Sequence, residues 1–261
     1  MSIAQALYDV RGPIATLTFN RPETRNAMTW AMYRALVDAC DRVDADSAVR
    51  VLILRGAGDK AFVAGTDITQ FEGLRSEADA LAYEQRIDEV LDRLERVSTI
   101  TIAQVRGVAA GGGCAIALTC DLRIATPDAR FGIPIARTLG NCLSAANYAR
   151  LLDLVGPAIV KDLILTGRFI LADEGLARGI VTRVEPAETI EAATEEWAER
   201  LASNAPLTIR ATKELVRRVA AARRLPPGAD HDLITQCYTS NDFREGVAAF
   251  LEKRKPRWTG T

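Results

Sequence analysis

Three consecutive glycines, Gly111-Gly112-Gly113, interrupt the chain between a strand-like run, Ile100–Val105, and a helix-like run, Ala115–Thr119. Few arrangements tolerate such a triplet at a strand-to-helix junction. Without Cβ atoms the backbone can approach another segment, or a ligand, closely. The first N–H groups of the helix lack intrahelical partners and carry the positive end of its dipole. Such a junction suits a developing oxyanion. It equally suits a helix that packs tightly across a strand, and the triplet alone leaves both readings open.

The 261 residues suffice for one large domain, or one domain with an appendage. With 33 basic and 34 acidic residues the charge is nearly balanced, which favours neither nucleic acid nor an anionic membrane as a partner. The first ten residues lack a basic start and a long apolar core, so they do not read as a secretory signal. No apolar run nears the roughly 20 residues of a membrane span. The cysteines, Cys40, Cys114, Cys120, Cys142 and Cys237, are odd in number and form no Cys-x-x-Cys pair, and His231 is the sole imidazole. These counts argue against a disulfide framework and against a His/Cys metal site, and they fit a reducing cytoplasm. His231 lies in a polar stretch and reads as a solvated loop residue rather than a base.

Along the chain, Ile14–Phe19 alternates as a strand, and Thr29 caps a helix over Trp30–Val43. Strands are expected at Val49–Leu54, Ala61–Ala64, Ile100–Val105 and Asp121–Ala125, with helices at Glu77–Val97 and Gly112–Thr119. This order indicates an α/β fold built from repeated crossovers. Beyond about residue 140 the pattern is mainly helical, over 141–155, 157–165, 187–203, 207–223 and 242–254, with one strand returning at 179–184. Gly56-Ala-Gly58-Asp-Lys-Ala61 formally matches a dinucleotide fingerprint. Phe62–Gly65 then reads as strand and turn rather than helix, and no early strand–helix–strand unit surrounds it, so we take it as a turn.

Two small-residue turns now stand out, one at Ala64-Gly65-Thr66-Asp67 and one at the glycine triplet. Their order and surroundings resemble the crotonase family of enoyl-CoA hydratases, isomerases and relatives. The resemblance rests on Asn20-Arg-Pro-Glu-Thr-Arg-Asn-Ala-Met28, Ala61-Phe-Val-Ala-Gly-Thr-Asp-Ile68, Val105-Arg-Gly-Val-Ala-Ala-Gly-Gly-Gly-Cys114, Cys120-Asp-Leu-Arg-Ile-Ala125, Arg130-Phe-Gly-Ile-Pro134 and the ending Asp242–Pro256. It covers nearly the whole chain.

That resemblance implies a crotonase-type spiral of ββα units over residues 1–200, with a helical region over 201–261 used for trimerisation, often as a dimer of trimers. It implies an acyl-CoA thioester as ligand, with coenzyme A entering as part of the substrate and no separate cofactor or metal. The N–H groups of Ala64 and Gly112 would hold the thioester oxygen. Ala64, Gly65, Thr66, Asp67 and Ile68 would line the coenzyme A portion, and Arg25 would meet its phosphates. Phe250 and Lys253 stand where family members contact coenzyme A, sometimes from a neighbouring subunit; a solvated helix end serves Lys253 nearly as well.

The family's hydratases use two glutamates, one directly after Gly-Gly-Gly-Cys and one directly after Phe-Gly-x-Pro. Here those positions hold Ala115 and Ile135, neither of which can exchange a proton. A positioned acid or base contributes roughly 10²- to 10⁴-fold, and an oxyanion donor roughly 10²- to 10³-fold. The chain therefore keeps one half of the machinery and needs a proton carrier from elsewhere. Arg137, Thr138 and Asn141 occupy the family's active-site segment and are candidates, while Cys142 lacks a histidine partner for thiol catalysis. Glu72, Tyr83, Glu84 and Asp88 follow the first turn; Glu84 and Asp88 read more readily as a solvated helix face. The expected activity is that of an enoyl-CoA hydratase/isomerase-type lyase working through a thioester enolate. The alternatives are an acyl-CoA decarboxylase, which generates its enolate without a base, and a non-catalytic acyl-CoA-binding oligomer.

Overall fold

The computed structural model describes residues 4–261. A hairpin opens the fold: β1 (Ala6–Arg11) pairs antiparallel with β2 (Ile14–Phe19) across Gly12 at φ +56°. α1 (Trp30–Ala45) follows, with the Thr29 hydroxyl accepting from the Met32 amide as its N-cap. It crosses to β3 (Val51–Gly56), which lies parallel to β2. A strand–helix–strand unit therefore does precede the Gly56 turn. The turn leads directly into β4 (Ala61–Val63), not into a helix, so the dinucleotide reading fails on the element that follows it.

From β3 onward the chain climbs a spiral. β3, β4 and α2 (Glu77–Glu95) form one turn of it; β5 (Ile100–Val105), β6 (Val108–Ala110) and α3 (Gly112–Thr119) form the next. β7 (Leu122–Ala125) and β8 (Arg130–Gly132) begin a third, continued by α4 (Ile135–Thr138) and α5 (Ala145–Thr166). In each turn the longer strand joins one sheet and the shorter strand joins another. β3, β5 and β7 pair in parallel in the first, and β4, β6 and β8 in the second. β9 (Ile170–Leu171) closes the second sheet; α6 (Ala172–Ala177) leads to β10 (Arg183–Val184), which closes the first in the order β1-β2-β3-β5-β7-β10. The expected α/β spiral is what the chain forms.

Alternation sorts the strand residues. Leu17, Leu52, Leu54, Ala103 and Val105 face the main core with α1 and α2. Val51, Ile53, Ile100, Ile102 and Ile124 face the other way, onto Ile190, Trp197 and Ala198 of α7 (Ile190–Ala202). Three helices end the chain: α8 (Pro206–Ala221), α9 (His231–Tyr238) and α10 (Asn241–Leu251). α9 and α10 fold back on the core through Ile234, Tyr238 and Phe243, whereas α8 leaves Leu207, Leu215, Val216 and Val219 exposed. Among the described residues no helix is long and apolar enough to cross a membrane.

Several local expectations change. α5 begins at Ser144, whose hydroxyl caps it, and it breaks at Gly156 (φ +73°), as the separate runs before and after that residue anticipated. The strand expected over 179–184 shrinks to Arg183–Val184, because Gly179 takes φ +76° and turns the chain. His231 is the exposed first residue of α9, not a loop residue.

A single buried cation fixes α3. Arg123 on β7 is 4 % exposed, and its guanidinium donates to the carbonyls of Ala117, Leu118 and Cys120 at the C-terminal end of α3, to that of Asp121, and across to that of Ile180. Those carbonyls have no intrahelical donor, and the negative end of the helix dipole favours a cation there. We therefore predict that Arg123→Met, similar in length but without donors, destabilises the protein by about 3 kcal/mol or more, since buried carbonyls are left unpaired. Urea unfolding at fixed protein concentration measures this, and an unmoved midpoint would contradict it.

Candidate functional site

The two small-residue turns meet. Gly111 takes φ +50° as the N-cap of α3, and a Cβ on it would lie 3.8 Å from the Cα of Gly65. Gly65 itself takes φ +126°. A Cβ on Gly113 would sit 2.2 Å from the Val63 carbonyl oxygen, which a folded chain cannot accommodate. A Cβ on Gly112 would sit 2.5 Å from Tyr33 Oη and 3.2 Å from Thr66 Oγ1. The packing reading of the triplet therefore holds at Gly113, which permits close approach to β4, while Gly112 borders a cavity.

The segment Asn20–Met28 braces the first turn. Asn26 is fully buried in a left-handed conformation (φ +57°), and its amide donates to the carbonyls of Ala57 (3.0 Å) and Ala61 (2.8 Å). The Met28 amide donates to the Gly65 carbonyl, and the Asp67 amide donates back to that of Met28, both at 2.8 Å. Arg21 Nη1 donates to the Asp67 carboxylate at 2.8 Å. Partial burial pushes Asp67 up, but the bonds from Arg21 and Thr69 outweigh it and hold the carboxyl below its ordinary range.

This bracing corrects two expectations. The Ala64 N–H donates to the Arg25 carbonyl at 3.0 Å, so it is not available to an oxyanion. Among the described residues the Thr66 N–H has no protein acceptor, and neither has that of Gly112, the first residue of α3. Free amides on the two turns thus include one on each side of the cavity, Thr66 and Gly112. Asp67 points into its ion pair with Arg21 and does not line the cavity, unlike Ala64, Gly65, Thr66 and Ile68.

The cavity between the turns has a volume of about 140 Å³. Ala115 and Ile135, the two positions where the resemblance expects glutamates, both contribute to its wall, beside Ile87, Leu139 and Leu143. Phe250 from α10 lines it as well, whereas the exposed Arg25 and Lys253 lie outside its wall. Tyr33 and Tyr83 each hydrogen-bond Thr66 Oγ1, at 2.8 and 3.2 Å. Burial pushes the Tyr33 phenol up to about 12, so it remains a neutral hydrogen-bonding group.

The polar candidates from the 137–142 segment fare unevenly. Arg137 is exposed, and neither it nor Cys142 is part of the wall. Thr138 is, but its hydroxyl donates to the Pro134 carbonyl at 2.9 Å within its own turn, which removes the proton it was expected to relay. Asn141 lines the cavity; its Nδ2 donates to Tyr238 Oη at 3.0 Å, while its buried Oδ1 has no partner.

Glu84 overturns the solvated-face reading. It is 4 % exposed and, among the described residues, is the one carboxylate on the cavity wall. Tyr238 Oη donates to its Oε1, and the Ser144 amide donates to its Oε2 at 3.1 Å. Burial pushes it up to about 8 despite those two bonds, which favour the charged form. Asp88, half-buried one helical turn on, accepts from Ser144 Oγ (2.7 Å) and Asn147 Nδ2 (3.1 Å) and is pushed by burial up to about 6. Sequence reasoning had a signal for Glu84: it falls on the same face of α2 as Ala80, Ile87 and Leu91, a carboxylate in an apolar stripe.

Folding leaves a proton on Glu84 that the unfolded chain, with an ordinary value near 4.5, would release; between about pH 4.5 and 8 this group therefore makes stability fall as pH rises. We predict that Glu84→Gln removes that part of the slope. The difference in unfolding free energy between variant and wild type should grow from about pH 5 to 8. Curves that stay parallel across that window would refute the burial-driven shift.

Comparison with known proteins agrees with this geometry. Residues 9–261 match the family model described as enoyl-CoA hydratase/isomerase. A short-chain-enoyl-CoA hydratase of Clostridium acetobutylicum is 34 % identical over 257 residues, covering 98 % of this chain and 97 % of that protein. A crotonyl-CoA hydratase of Syntrophomonas wolfei is also 34 % identical, with 98 % of each chain covered. Among solved structures, an enoyl-CoA hydratase/carnithine racemase from Magnetospirillum magneticum superposes with a TM-score of 0.80 at 34 % identity, over 100 % of this chain and 97 % of that one. A methylmalonyl-CoA decarboxylase in complex with 2-nitronate-propionyl-CoA superposes with a TM-score of 0.89 at 28 % identity over the full length of both. A chain matched from residue 9 to its last residue belongs to the enoyl-CoA hydratase/isomerase family.

Proposed function

We propose that this chain is an acyl-CoA lyase that holds its substrate's thioester as an enolate between the amides of Thr66 and Gly112. The observation that carries the reading is the pairing of two unpartnered N–H groups on touching turns beside one cavity. Donors fixed before reaction, in a site lined largely by apolar side chains, stabilise charge that develops on a carbonyl oxygen. Gly65, Ile68 and Phe250 border the same cavity and would line the thioester arm, with the exposed Arg25 and Lys253 towards the nucleotide end.

Hydration or isomerisation of an enoyl thioester is the reaction that the chain's relatives carry in their names. Decarboxylation is a second reading, favoured by a specific feature: Ala115 and Ile135 offer no base, and loss of CO₂ creates the enolate without one. An apolar wall also weakens solvation of a substrate carboxylate, which such a step requires. Crotonyl-CoA, a malonyl-type CoA and a branched enoyl-CoA separate the two. Hydration removes the enoyl absorbance, and decarboxylation releases CO₂. Tight binding of all three without turnover would leave only a binder and refute both.

The donor pair has its own test. Proline at the first position of a helix is tolerated, so Gly112→Pro deletes one N–H with little damage to α3. Its ring carbons would meet Tyr33 Oη, so the variant is made on a Tyr33→Phe background and compared with Tyr33→Phe alone. Turnover should fall roughly 10²- to 10³-fold. Equal rates in the two would remove Gly112 from the mechanism.

We propose further that the chain works as a homotrimer or a dimer of trimers assembled through its C-terminal helical region. Leu215, Val216 and Val219 on α8 are each at least 60 % exposed, an apolar stripe that an isolated chain leaves in water. Val216→Glu should shift the molecular mass seen by light scattering towards the monomer. An unchanged mass would show that α8 is not the contact.

A further inference from the structure

We infer that Glu84 is the proton-transferring residue of this chain: its carboxyl, set in the wall of the cavity that holds the Thr66 and Gly112 amides, delivers the proton to the α-carbon of the thioester enolate. The inference rests on the enolate reading above and adds the group that reading leaves unassigned.

Ala115 and Ile135 are aliphatic, and Thr138 has its proton engaged by Pro134. Tyr33 and Tyr83 are neutral phenols raised by burial, Tyr33 to about 12. That leaves one wall residue able to exchange a proton near neutral pH. Glu84 is not a stray charge in the core; two donors from two other elements fix its oxygens, Tyr238 from α9 and the Ser144 amide at the head of α5. Its carboxylate form is therefore provided for, while burial favours its protonated form. A group balanced in this way can give a proton and recover it. A further observation is Asn141, which bonds Tyr238 and leaves a buried, unpartnered Oδ1 beside the same cavity. Buried polar atoms are normally paired, so this corner is built to receive a polar group.

The O–H bond of Glu84 breaks and a C–H bond forms at the α-carbon, using the electron pair of the enolate double bond. The thioester C=O is restored, and Glu84 is left as a carboxylate accepting from Tyr238 and Ser144. After decarboxylation it regains a proton from solvent. In hydration the water that adds to the β-carbon supplies it. Run backwards on a saturated acyl-CoA, the same step removes an α-proton.

The charged and titratable groups around Glu84 set the pH behaviour. Asp88 on α2 and Asp230 ahead of α9 raise it, and Tyr238 lowers it. Tyr83 and Cys142 are close neighbours, and Arg150 of α5 faces Asp88 at 3.9 Å.

The test is exchange of the α-protons of butyryl-CoA in D₂O, read by mass spectrometry, together with turnover of crotonyl-CoA and a malonyl-type CoA. Glu84→Gln should lower exchange and turnover roughly 10²- to 10⁴-fold while butyryl-CoA still binds. The wild-type turnover rate should fall as pH rises through about 8, and Tyr238→Phe, by removing a donor to the carboxylate, should move that limb to higher pH. If Glu84→Gln does not fold, the Tyr238→Phe limb decides, and an unmoved limb overturns the inference. An active wild type with an equally active Glu84→Gln overturns the role of Glu84 and leaves the enolate reading intact. A wild type inert in exchange and on both substrates overturns the enolate reading, and this inference with it.

Discussion

The architecture depends on one close approach. α3 crosses β4 at Gly113, where a single added carbon would collide with the Val63 carbonyl. That contact sets how near the head of α3 comes to the end of β4, and hence how near Gly112 comes to Thr66. The sheets, the Arg123 clasp on the far end of α3 and the Asn20–Met28 brace all act on this one spacing. Arg123 fixes the helix from behind through its last carbonyls, and Arg21, Asn26 and Met28 fix the opposing turn. Buried amides are normally paired, and those of Thr66 and Gly112 are left free beside the cavity.

Much of this was legible from the residues. β2, β5, α1 and α2 appear where periodicity and caps put them, because each is long enough, or well enough capped, for its pattern to stand out, and α3 appears where the glycine junction put it. β6, β8 and β9 are two or three residues long and pair only because the spiral brings them together, so no local pattern announces them. The two apolar positions, Ala115 and Ile135, were legible from the resemblance and fall on the cavity wall together. On the first turn the amide expected to be free, that of Ala64, is engaged, and that of Thr66, two residues on, is free. Which amide is free there depends on the Arg25 carbonyl, brought up by a left-handed pair, Arg25 and Asn26, that sequence alone does not reveal.

Glu84 escaped for a different reason. A carboxylate on a helix is usually solvated, and α2 carries several that are. What buries this one is α9, an element of eight residues whose short apolar pattern hid behind a polar N-terminus. Tyr238 has no meaning as a site residue until α9 is seen to pack on α2. What the C-terminal region places around the cavity is therefore a tertiary fact: α8 turns an apolar stripe outward, while α9 and α10 turn inward and supply Tyr238 and Phe250 to the surroundings of the cavity.

This division bears on how such a site can change its chemistry. In the proposed mechanism the oxyanion donors belong to the backbone and to glycine geometry, and side-chain substitution hardly reaches them. The proposed proton carrier is a side chain, and any element bordering the cavity can supply one. At positions 115 and 135 a glutamate would stand on the spiral itself, on α3 or on α4. In this chain both positions are aliphatic, and the remaining carboxyl comes from α2 and is held by α9. A carboxyl buried against apolar side chains favours its neutral form, so near neutral pH it is better prepared to give a proton than to take one from water. An enolate that is already formed needs such a donor, and that is the physical link between the aliphatic wall, the burial of Glu84 and base-independent chemistry.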